Sequence, residues 1–140
     1  MFAPNREQVR QFFFDTWGKY RAGTPLQGLE KIALDVILLH PEYHAVLEAP
    51  NRTQAKDYTP EMGQANPFLH MSLHLALEEQ VSIDQPAGVR AAIDALLKKS
   101  GNRHDAQHEA LECLGEMVWR SQRDGKAPDA QWYLECLKKR

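Results

Sequence analysis

The chain has 140 residues, 43% hydrophobic and 26% charged, and its 17 basic and 19 acidic side chains leave a formal charge of −2. That length suits one domain with a real hydrophobic core, and the near-neutral balance gives no electrostatic case for binding nucleic acid. No apolar run approaches the ~20 residues of a membrane span, and the opening MFAPNREQVR lacks the apolar core of a secretion signal, so a soluble cytoplasmic protein is expected.

Nearly every segment repeats its apolar residues at the helical period. Residues 5–21 put Val9, Phe12, Phe13, Trp17 and Tyr20 on one stripe, and Gly23 and Pro25 stop that helix. A second helix starts near Leu26 and carries Leu29, Ile32, Ala33, Val36 and Ile37. Pro41 interrupts it, because proline removes a helical hydrogen bond and clashes with the preceding turn; a kink or restart is expected there, with His40 at the break. Residues 50–66, PNRTQAKDYTPEMGQAN, are polar and aperiodic and read as a long loop, a candidate lid. Asn66-Pro67 is a helix start, a capping side chain followed by a residue that needs no N–H partner, and the helix runs to about Val81. Asp84 and Pro86 open the next, which ends at Ser100-Gly101. Asn102 with Asp105 begins a long helix to about Arg123. Asp124-Gly125 makes a turn, and Pro128 to Lys138 is a short last helix. No strand pattern competes, so the expected fold is all-α: a single-domain helical bundle of about six helices over 1–140, four of them longer and forming the core. Cys113 and Cys136 form no CxxC motif and are expected as free thiols packed in helices. Trp17, Trp119 and Trp132 are expected as packing residues.

The histidines break this plain pattern. All six fall into pairs four residues apart, His40/His44, His70/His74 and His104/His108, and each pair is followed four residues later by a glutamate, Glu48, Glu78 or Glu112. Random placement gives roughly 0.2 such pairs, the background any motif must beat. On a helix, i and i+4 share a side, roughly 6 Å apart, so two imidazoles can address one ion. The i+8 position lies about 12 Å from i, so His70 and Glu78 do not readily share one ion, whereas His70 with His74, or His74 with Glu78, can. The candidate metal ligands are His40, His44, His70, His74, His104, His108, Glu78 and Glu112; Glu48 is the weakest, so close to Pro50. Neutral imidazole suits zinc, iron, copper and nickel. His70, Leu73, His74 and Leu77 form one stripe that should face the core, where an imidazole needs a partner. Gly115 leaves room on the inner face of the long helix. Glu30 reads as a surface ion pair, and Tyr43 and Tyr58 as packing near the site.

The strings MFAPNREQVRQFF, HPEYH, NPFLHMSLHLALEEQ followed by Asp84-Gln85-Pro86, and HxxxHEALECL resemble an uncharacterised bacterial family, domain of unknown function 1841, over nearly the whole chain. That resemblance implies a small stand-alone bacterial protein and no particular activity. More loosely, the ligand ladder is similar to hemerythrin and ferritin-like bundles, although no Glu-x-x-His occurs here. Three readings follow. The first is a metal-binding bundle with an internal His/Glu site for one ion or two, iron or zinc, acting on an unidentified small molecule or protein. The second is a non-covalent haem site with axial histidines from two pairs. The third is a non-enzymatic interaction module with a histidine polar core. Whether the chain is an enzyme is left open by its sequence.

Overall fold

The computed structural model describes residues 6–56, 58 and 66–140. Among them the secondary structure is helical, without strands. The helices are α1 (Arg6–Arg21), α2 (Leu29–Leu38), α3 (His44–Leu47), α4 (Pro50–Thr53), α5 (Pro67–Ile83), α6 (Val89–Ser100), α7 (Arg103–Asp124) and α8 (Ala130–Lys139), with a 3₁₀ turn at Pro41–Tyr43. The all-α expectation holds, with more helices than the six expected. The extra ones are single turns in places that carry too few residues for a period to show.

The chain divides into two compact units, residues 1–75 and 76–140, and the division falls inside α5. In the first unit, Phe13, Phe14 and Trp17 of α1 pack with Ala33, Val36 and Ile37 of α2, Leu47 of α3, and Phe68 and Met71 of α5. Pro41 acts as expected: α2 stops at Leu38, and the chain restarts through the 3₁₀ turn into α3. Asn66 caps α5, its Oδ1 accepting from the N–H groups of Phe68 (3.0 Å) and Leu69 (3.1 Å).

Arg10 is buried in this core. Its guanidinium lies over the Phe68 ring, 4.6 Å from the centroid. Its Nη1 donates to the carbonyls of Thr53 (3.0 Å), Gln54 (2.8 Å) and Lys56 (2.8 Å). A buried cation is tolerated only with such partners, and here it ties the start of the polar 50–66 stretch to α1. That stretch opens with the helical turn α4; residues 57 and 59–65, about half of the candidate lid, lie outside the described residues.

In the second unit, α6, α7 and α8 pack on one another. The buried residues there include Leu77, Val89, Leu96, Ala110, Leu114, Met117, Tyr133 and Leu137. The phenol of Tyr133 donates to Gln80 Oε1 at 2.7 Å, and burial pushes its pKa up. The expectation of free thiols is corrected: Cys113 of α7 and Cys136 of α8 form a disulfide, with Cα atoms 5.9 Å apart. The turn after Asp124 folds α8 back along α7 and brings together cysteines separated by 23 positions. Trp17 and Trp132 are at least partly buried, but Trp119 is 52% exposed beneath Arg123, 4.7 Å from its ring centroid.

Asp84 follows α5 with φ +51°. Its Oδ1 accepts from the N–H groups of Arg90 (3.0 Å) and Gly88 (3.3 Å), joining the α5 end to the α6 start. The Arg90 N–H, more than any other group, holds this carboxyl below the usual carboxylate range. A carboxyl whose folded pKa is depressed contributes stability at neutral pH that is lost as pH falls through the folded value. Asp84→Asn keeps an oxygen acceptor but cannot titrate. It should therefore flatten the acid limb of a thermal-stability profile, between about pH 2 and 5. An unchanged acid slope in the variant would assign that limb to other carboxyls.

Candidate metal centre

The break at Pro41 positions the first histidine. His40 is buried, and its Nδ1–H donates to the Val36 carbonyl at 2.8 Å. A carbonyl only accepts, so Nδ1 holds a ring proton, and in the neutral tautomer this contact selects, the lone pair is on Nε2. This backbone contact is the kind that orients a metal-binding imidazole and sets its tautomer.

Two turns of α5 supply the partners. His70 Nε2 lies 3.2 Å from His40 Nε2 and 3.2 Å from His74 Nε2. The ring nitrogens that His40 and His74 offer are within 4.8 Å of each other. The three rings meet edge to face, with centroids 4.9 Å (His40–His70), 4.6 Å (His40–His74) and 4.8 Å (His70–His74) apart. Ligand nitrogens at the usual zinc distance and tetrahedral angles stand about 3.3 Å apart, which matches the two measured contacts. His70 Nε2 has one position to fill and two nitrogens at equal distance. A proton there points at one neighbour or is shared poorly between both, whereas an ion serves all three. His40 and His74 belong to a histidine cluster that could hold a metal ion.

Tyr43 stacks on His40, centroids 5.4 Å apart and planes 6° from parallel. Burial, followed by the nearby Glu42 carboxylate, pushes its phenol pKa up. The residue read as packing near the site thus forms one wall of it. Its signal in the sequence was its place between His40 and His44.

The other candidate residues stand as follows. His44 donates its Nε2–H to the Ile37 carbonyl at 3.0 Å and lies against Trp17, ring centroids 4.4 Å apart. The restart at Pro41 breaks the regular i, i+4 register, so His40 and His44 face different neighbours. In the second unit, His104 and His108 form a pair on α7 with Nε2 atoms 3.0 Å apart and ring centroids separated by 4.2 Å. Glu78 accepts from Arg103 Nη2 at 2.8 Å and from Gln107. Glu112 is exposed and paired with Arg140. Glu48 is exposed and 3.5 Å from Arg21. Glu30 pairs with Lys19 at 2.6 Å, a contact that lowers its pKa. Spacing alone could bring together His70 with His74 and His104 with His108. The meeting of His40 with His70, separated by 30 positions, could not be read from it.

No helix among the described residues is long and apolar enough to cross a membrane. No curated protein and no solved structure matches the chain. A family model matches residues 5–139, almost the whole length, and the chain belongs to that family, described as Domain of unknown function (DUF1841).

Proposed function

We propose that this protein binds a transition-metal ion, iron or zinc, through the Nε2 atoms of His40, His70 and His74. The observation that carries the reading is the pair of 3.2 Å contacts around His70, with the His40 lone pair set by the Val36 carbonyl. The donor set is imidazole throughout, which favours zinc, iron, copper or nickel over magnesium or calcium. His104 and His108, with Nε2 atoms 3.0 Å apart, supply two further donors of the same kind. They keep a dinuclear protein within the proposal. Glu78 and Glu112 are already engaged by Arg103, Gln107 and Arg140, so ligation by either requires exchange of those partners.

The test is elemental analysis of the untagged full chain purified without chelators, beside His40→Gln/His70→Gln and His104→Gln/His108→Gln proteins checked for helicity. The unaltered chain should carry about one equivalent of iron or zinc, or more. The His40→Gln/His70→Gln protein should fall to less than half of that, while the His104→Gln/His108→Gln protein should keep about one equivalent and lose any second ion held by that pair. A chain that takes up no metal, even after reconstitution with Fe(II), Zn(II), Mn(II), Ni(II) or Cu(II), would overturn the proposal. So would a His40→Gln/His70→Gln protein that keeps its full metal content.

A further inference from the structure

We propose that the ion held by His40, His70 and His74 takes a small anion from solution, a carboxylate or a linear triatomic anion, as its charge-balancing ligand. This rests on metal binding by those histidines and adds the class of molecule the ion receives. Neutral imidazoles bring donor nitrogens and no negative charge, so a divalent ion among them keeps its full positive charge. His40 is buried and His74 is fully so. That charge therefore stands away from bulk water, where an unbalanced ion is costly.

The chain does not supply the balance. Among the described residues no Asp or Glu oxygen joins His40 and His74 in a group of ligand atoms. Glu78 and Glu112 accept from the guanidinium groups of Arg103 and Arg140. Glu42, next to Tyr43, is exposed, and its charge is screened by water and salt. Tyr43 lays a neutral ring against His40, centroids 5.4 Å apart. A further imidazole in the shell changes nothing in this balance, because it too is neutral.

The three rings also set the shape of the ligand. His70 is the half-buried member of the three, so a molecule from solution arrives along its edge. Its Nε2 stands 3.2 Å from that of His40 and 3.2 Å from that of His74. An ion seated on three nitrogens at this spacing keeps a fourth tetrahedral direction for an outside ligand. With the other two rings buried, the bound end must be slim, as a carboxylate oxygen or the end of a linear anion is.

The test uses the full chain loaded with Co(II), in chloride-free buffer at fixed pH, with the visible bands of the bound ion as the readout. Azide and acetate should each shift those bands to a saturating end point. Azide should bind at least about tenfold more tightly than it binds aqueous Co(II), because the two charges meet in a site drier than bulk water. Acetamide, which has the shape of acetate without its charge, should leave the bands unchanged over the same range. The His40→Gln/His70→Gln chain should show no azide-dependent band. Bands that azide and acetate leave in place would overturn the proposal while metal binding stands. So would acetamide acting as well as acetate, or an azide response retained by the double variant. A chain that holds no Co(II), Zn(II) or Fe(II) after reconstitution would overturn metal binding itself, and this inference with it.

Discussion

Removing metal with a chelator is expected to lower the melting temperature of this protein, and His40→Gln/His70→Gln is expected to melt alike with and without chelator. An ion that binds the folded chain and not the unfolded one adds its binding free energy to folding. At a free-ion concentration of about 100 times Kd that contribution is roughly 2.7 kcal/mol. For a unit of the size seen here, each kcal/mol corresponds to roughly 4–8 °C, so the shift is readily measured. The variant separates ligation from packing. His40 is buried and His70 half-buried, so substitution lowers stability even without an ion; only loss of ligands removes the response to chelator. If the rings serve solely as a polar core, chelator leaves the unaltered protein's melting temperature where it was, and the metal reading falls.

The second large effect concerns the disulfide. Reducing Cys113–Cys136, or replacing both cysteines by alanine, should destabilise the second unit by about 3 kcal/mol, the value chain entropy assigns to a closed loop of this length. The loss should appear as a lower denaturant midpoint and as faster amide exchange in α7 and α8, with α1 and α2 little changed. Helicity at low denaturant should survive, because Tyr133, Leu137 and the Arg140 ion pairs still hold α8. Coincident unfolding curves for the oxidised and reduced protein would contradict this, as would loss of α8 helicity on reduction alone.

Several features of the site were legible before any coordinates. The pairs His70/His74 and His104/His108 come together because each lies on one uninterrupted helix, where a separation of four residues is a direct geometric statement. The break at Pro41 was equally legible, since it follows from the proline ring. What that break does to its flanking histidines was not. His40 turns toward α5 and His44 toward Trp17, because the 3₁₀ turn between them changes the angular step that an α-helix would impose. The glutamates at the third rung are a case in which spacing does not name the partner. Their spacing is compatible with ligation, yet Glu78 and Glu112 face guanidinium groups far along the chain, Arg103 and Arg140.

By itself, then, the sequence determined where most of the longer helices begin and end. Those limits depend on neighbours within about one turn: Asn66 with Phe68 and Leu69, Asn102 with Asp105, Pro41 with the residues it follows. It also determined which imidazoles share a helical face. Tertiary structure alone decided that His40 meets His70, that Tyr43 walls the cluster, that Arg10 secures the Thr53–Lys56 carbonyls, and that two cysteines expected as thiols are bonded. Each of these joins residues from different elements, and such pairings depend on how whole buried faces pack, which no short-range period in a single sequence encodes.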